Sequence, residues 1–284
     1  MSKVAVITDS TSYIPESMVK SLQITVAPQI LIWGDETFRD GVDIMPEEFY
    51  KRLETAKVMP TTSQVAIGDM KANFEKLLES GFDVLGIFIS AKLSGTMQSA
   101  LQAREMLPKA AGRIAIVDSN STAMAMGFHV LVAARAAQAG SSLAECQTIA
   151  EKAREHTGVF FVVDTLEFLR RGGRIGGAQA LLGSALNIKP ILELRDGRIE
   201  SLEKVRTKSK AIDRMIDLVV EQIANRTPVR LATLHANAEQ EARSALATAS
   251  LHLQPIESIF ASVSPVIGTH AGPGTVGLAF MAGL

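Results

Sequence analysis

The chain contains one cysteine, Cys146, in 284 residues. A single thiol excludes an intrachain disulfide framework and any metal site built from several thiolates. Its place inside a helical pattern favours a buried, inert side chain over a nucleophile. Net charge is equally scarce: 29 Lys and Arg against 30 Asp and Glu leave −1, which supplies no global drive towards nucleic acid. No apolar run approaches the ~18 residues of a membrane span. The opening residues MSKVAVITDS enter a strand pattern without a signal-peptide core. A cytoplasmic protein is therefore expected, with Asn120-Ser121-Thr122 and Asn225-Arg226-Thr227 as chance glycosylation matches. Five histidines, at 129, 156, 235, 252 and 270, never fall at the spacing of a metal pair. Walker A, H-E-x-x-H and G-x-S-x-G sequences are absent. Residues 272–277 fit G-x-G-x-x-G, but too few residues follow to make the helix and second strand of a dinucleotide site. Neither a metal nor a cofactor is expected.

What the sequence has in quantity is aliphatic surface, 47% hydrophobic residues with only two Tyr and one Trp. This length suits two domains sharing an interface. Through residue 157 the pattern alternates strand and helix. Buried-type strands begin at Val4, Val84 and Ile114, and Ile24 to Trp33 forms a further apolar run. Pro46 opens one helix, Ser63 is placed to cap another running to about Glu79, and Ser142 with Glu145 has capping-box spacing. Such alternation predicts a Rossmann-like parallel sheet covered by helices on both faces.

The pattern changes near Gly158. Asp196-Gly197 between two apolar runs is a hairpin signal. A long amphipathic helix over about 209–224 and further strands at 229–235, 256–263 and 275–281 follow. The expectation is α/β overall, with an N-terminal α/β domain over 1–157 and a C-terminal α+β domain over 158–284 carrying a mixed or antiparallel sheet.

Three small clusters carry candidate chemistry. Ser94-Gly95-Thr96 follows a buried strand and opens a helix, where unpaired N–H groups and the helix dipole attract an anion. Thr61-Thr62-Ser63 precedes another helix. For both, hydroxyl capping and ligand binding are open alternatives. Gly268 to Gly274, GTHAGPG, sets His270 in a glycine-rich turn. Asp9-Ser10 and Asp118-Ser119, each ending a strand, read primarily as caps.

Across nearly its whole length the chain resembles the DegV family of fatty-acid-binding proteins. The likeness rests on V-I-T-D-S-T, F-R-D-G, P-T-T-S-Q, L-S-G-T-M-Q-S-A, V-D-S, L-R-R-G-G-R-I, L-N-I-K-P-I-L, K-V-R-T and G-T-H-A-G-P-G, in that order. The resemblance implies a long-chain fatty acid held between two domains and presented to a separate ATP-dependent fatty acid kinase, which forms an acyl phosphate for phospholipid synthesis. It implies that Thr62 and Ser94 bond the carboxylate, with His270, Ser63 and Gly95 beside it. Arg174 and Arg206 would be surface residues that dock the kinase. Departures from the family pattern, at Val65-Ala66 and at Met124 and Met126 in NSTAMAMGFHV, touch the tail rather than the head group. Met97, Met106, Met124 and Met126 are expected in the core before the pocket wall. The alternatives are a lipid carrier or sensor without a kinase, and an acyl hydrolase or transferase using Ser94 and His270.

Overall fold

The structure is a computed structural model that describes residues 3–182 and 188–284. The first part of the chain runs β1 (Val4–Asp9), α1 (Glu16–Ser21), β2 (Thr25–Ala27), β3 (Ile30–Trp33), β4 (Glu36–Arg39) and α2 (Pro46–Leu53). Then come β5 (Thr61–Ser63), α3 (Ile67–Glu79), β6 (Asp83–Phe88), α4 (Thr96–Glu105), β7 (Ile114–Asp118), α5 (Ala123–Gln138) and α6 (Leu143–His156). The remainder is β8 (Thr157–Val162), α7 (Glu167–Arg171), β9 (Lys189–Arg195), β10 (Arg198–Val205), α8 (Lys208–Ile223), β11 (Val229–His235), α9 (Glu239–Leu253), β12 (Glu257–Ile259), α10 (Pro265–Ala271) and β13 (Val276–Ala282). The L-N-I-K-P-I-L motif begins at 186 and 187, which lie outside the described residues.

The expected α/β class is observed. Strands β2-β1-β6-β7 form a parallel sheet, and β10-β9-β8-β13-β11-β12 form a mixed sheet whose pairs are antiparallel except β11 with β12. Strands β1 and β6 are buried almost throughout, because helices cover both faces and leave no solvent side to alternate with. The Asp196-Gly197 turn joins β9 to β10, as its dipeptide predicts. The Ser142–Glu145 capping box is formed in both directions at the start of α6.

Helix α5 lies at the centre. It packs on β1 and β6 on one side and on β8, β11 and β13 on the other. Eleven of its 16 residues are buried, which explains why AMAMGFHVLVAARAA shows no polar stripe. Met97, Met124 and Met126 are core residues as expected, whereas Met106 is exposed.

Four expectations need correction. The Ile24–Trp33 run is two strands, divided at Pro28, whose missing N–H interrupts a ladder. Residues 61–63 do not cap a helix. They form β5 in a small antiparallel sheet ordered β4-β3-β5, and α3 begins only at Ile67 behind Ala66. The strand expected over 256–263 is confined to Glu257–Ile259. His270 sits in the last turn of α10 rather than in a glycine turn, since Pro265 supplies a favoured first helical residue.

Candidate functional site

In the parallel sheet the strand order reverses between β1 and β6, and the crevice beyond their carboxyl ends is where open α/β sheets place ligands. A cavity opens there, holding about 860 Å³ including its mouth. Its apolar wall is shared between the mixed sheet, with Val159 and Phe161 of β8, Leu194 of β9, Ile199 of β10 and Leu234 of β11, and residues outside it such as Ile89, Leu169 and Val266. Thr62, Ser63, Ser94, Gly95, Arg174 and His270 also border it. The structure thus brings together the three clusters singled out in the sequence. Arg206 is exposed and is not part of this lining.

Each polar side chain has a definite local support. Thr62 is fixed by the pairing of β5 with β3, where it lies opposite Leu31. Its Oγ1 is 2.8 Å from His270 Nε2. Burial, and then the nearby positive charge of Arg174, push the His270 pKa down to about 4, so the ring is neutral at pH 7. Nδ1 is buried without a hydrogen-bond partner. It is pressed against Gly172, where a Cβ would lie 2.0 Å away. An unpaired buried N–H is less tolerable than an unpaired lone pair. The neutral ring therefore carries its proton on Nε2 and donates to Thr62, which leaves the Thr62 hydroxyl proton free for a ligand oxygen.

Ser94 closes a local turn and faces the cavity as well. Its Oγ accepts from the Thr96 N–H at 3.3 Å, closing a turn ahead of α4, and it also borders the cavity. It lies 3.0 Å from Thr96 Oγ1 and donates to Gln29 Oε1 at 3.4 Å. A bond that long is weak, so the Ser94 proton is easily redirected to a stronger acceptor. Gln29 is 3% exposed and was missed by sequence reasoning. Its Nε2 donates to Asp9 Oδ1 at 3.2 Å, which fixes the amide with its oxygen towards Ser94. Asp9 also accepts from Thr11 N–H, Thr11 Oγ1 and Ile89 N–H, so its buried carboxylate is fully engaged in holding the loop. Asp118 likewise accepts backbone N–H groups, from Ala91 and Asn120. Asp9 caps the short 3₁₀ turn Ser10–Ser12 as expected, whereas Asp118 only closes a local turn, since the N-cap of α5 is Thr122.

Arg174, expected at the surface, is instead partly buried in the cavity wall. Nε donates to Leu93 O at 2.9 Å and Nη1 to Gly172 O at 2.7 Å, so its guanidinium braces the segments carrying Ser94 and facing His270. The nucleophilic arrangement is not formed: His270 Nε2 meets Thr62, whereas Ser94 meets Gln29 and Thr96. Among the described residues no cluster of His, Cys, Asp or Glu can hold a metal, and no helix is long and apolar enough to cross a membrane. The arrangement suits an amphiphile, with hydroxyl donors at one end of an apolar space.

A family model described as "Uncharacterised protein, DegV family" matches residues 3–283. A DegV domain-containing protein of Streptomyces coelicolor is 40% identical over 285 residues, covering 97% of each chain. The solved structure of a DegV family protein from Thermus thermophilus, described by its fatty acid binding, superposes with a TM-score of 0.93 at 34% identity, covering 99% of both chains. DegV of Bacillus subtilis, described as a fatty acid binding protein, superposes with a TM-score of 0.90 at 35% identity, covering 99% of this chain and 100% of that one.

Proposed function

The chain belongs to the DegV family, and we propose that it binds a long-chain fatty acid in the cavity and presents the carboxylate to a separate ATP-dependent kinase. Thr62 and Ser94 hold the carboxylate, with His270, Ser63 and Gly95 beside it. The kinase then forms an acyl phosphate for phospholipid synthesis, and the protein itself is the substrate-presenting partner. This reading places the complex in the cytoplasm, where ATP is available. The chain divides at 157/158, with the lipid between the two parts. Arg206 and the outward side of Arg174 form the docking surface for the kinase.

The observation that carries the reading is one apolar cavity with the hydroxyl donors of Thr62 and Ser94 at its border. Burying ~14 methylenes at about 0.8 kcal/mol each contributes roughly 11 kcal/mol before ordering costs. A charge-assisted hydrogen bond adds only about 1.5–3 kcal/mol. The tail therefore supplies most of the affinity, while the head-group residues set orientation for phosphoryl transfer. Ser94→Ala is expected to impair kinase-coupled acyl phosphate formation more than it weakens palmitate binding. Titration and coupled assay on the same variant test this. Collapse of affinity with normal phosphorylation of the bound fraction would refute the division of labour, and no acyl chain bound in solution or extracted from purified protein would refute the reading itself.

A further inference from the structure

Asp40, in the F-R-D-G turn after β4, is 1% exposed and does not line the cavity. Its carboxylate nevertheless joins the two segments that flank the head-group site. Oδ2 accepts from Ser10 Oγ at 2.7 Å and from Ser264 Oγ at 2.8 Å, and Oδ1 accepts from the Val266 N–H at 3.2 Å. On one side, Ser10 Oγ accepts the Gln29 N–H at 3.1 Å, and the Asp40 N–H donates to the Gln29 carbonyl at 2.9 Å. Gln29 is the partner of Ser94. On the other side, Val266 lies in the first turn of α10, and His270 follows one turn later.

We propose that Asp40 is a positioning residue that holds the His270 helix in register with the Gln29–Ser94 side of the site. A seven-residue helix is too short to stand on its own hydrogen bonds. The side chain of its N-cap, Ser264, makes no cap bond within the helix, because its hydroxyl is turned to Asp40. Asp40 thus caps α10 from more than two hundred residues away in sequence, and the same carboxylate anchors Ser10. Removing it frees the start of α10 and leaves the register of His270 to its bond to Thr62 and the packing of the helix on α7, β5, α2 and β3. The inference rests on the fatty-acid reading for its functional consequence, and on the geometry of α10 alone for its structural one.

The test compares the full-length wild-type chain with Asp40→Ala, Asp40→Asn and Leu231→Ala, the last a core truncation in β11 remote from the site. Two quantities are measured, the NMR titration of the His270 ring and the affinity for palmitate. Wild-type His270 is expected to titrate at about 4. Asp40→Ala should move it upward towards the ordinary 6.5 and weaken palmitate about tenfold or more. Asp40→Asn keeps an acceptor for Val266 and should recover most of both. Leu231→Ala should lower Tm and leave His270 where it is. A folded Asp40→Ala with wild-type titration and affinity overturns the proposal, as does an equal His270 shift in Leu231→Ala. Where Asp40→Ala does not fold, Ser264→Ala deletes one of the three bonds; a shifted His270 there supports the proposal and an unshifted one overturns it. A wild-type chain that binds no palmitate overturns the fatty-acid reading, while the His270 titration still decides the positioning role.

Discussion

Two adjacent glycines should respond to the same substitution in opposite ways. Gly172 closes α7 with φ −73° and ψ −8°, a conformation alanine adopts without strain. On the backbone alone Gly172→Ala would stabilise by about 0.4–1 kcal/mol through the unfolded chain. Its new Cβ, however, would lie 2.0 Å from His270 Nδ1, where ordinary contact begins at 3.4 Å. Restoring ordinary contact requires the ring to shift by about 1.4 Å, which disturbs its 2.8 Å bond to Thr62. Losing that orientation at the proposed head-group donor should cost about 1.5–3 kcal/mol, or a roughly 10- to 100-fold loss of palmitate affinity. Gly173 is the reverse case. Its φ is +69°, and no atom lies within 4 Å of the place a methyl group would take. Gly173→Ala should cost about 1–2 kcal/mol of stability and leave affinity within about twofold. Urea unfolding and calorimetric titration of palmitate on both variants separate the effects. The reasoning is refuted if Gly172→Ala binds like the wild type, or if Gly173→Ala loses more affinity than Gly172→Ala.

Acid should act through buried groups with opposing signs, His129, His270 and Asp40 among them. Burial depresses His129 to about 3 and His270 to about 4, below the 6.5 of the unfolded chain. The unfolded state therefore binds protons that the native state refuses, and stability falls as pH drops below 6.5, by about 2 kcal/mol per histidine at pH 5. Burial raises Asp40 to about 6 from 3.8, so its contribution grows as pH falls through that interval and partly offsets the loss. Asp40→Asn removes the offset, and its urea midpoint should drop more steeply than the wild type's between pH 7 and 5; an equal or shallower slope contradicts the assignment. Cys146 is buried, and burial raises its thiol pKa. A thiol reagent should modify it only as the chain unfolds, and stoichiometric labelling of the native protein on mixing would contradict that.

Much of the fold was legible because it depends on local signals. Continuous apolar runs identified β1, β6 and β7, Asp196-Gly197 identified the hairpin, and Ser142 with Glu145 identified the start of α6. The small sheet was not legible, since β5 is three hydroxyl residues with no alternation to announce a strand, and its partner β3 supplies the reason it is extended. Thr62, Ser94 and His270 were found as separate clusters, but Thr62 and His270 are 208 residues apart and only the packing of α10 on β5 makes them neighbours. Gln29 carried no signal: it follows Pro28 in an apolar stretch, and its value comes from Asp9 behind it and Ser94 in front. Arg174 was placed on the surface because the family resemblance implied a docking role for it, whereas its guanidinium finds two carbonyls to hold it inward.

Helix α5 has a consequence for how the molecule is assembled. Both sheets use it as packing surface, and its buried residues leave no face that water could cover if either sheet were removed. A fragment ending at residue 157 would keep the helix but expose the side that meets β8, β11 and β13. A fragment beginning at 158 would lack it altogether. Each piece would keep a smaller core cluster of its own but lose its share of the largest one, which both parts build, so their folding is coupled. Heating should accordingly produce one cooperative transition rather than two, and the walls of the cavity should form and dissolve together.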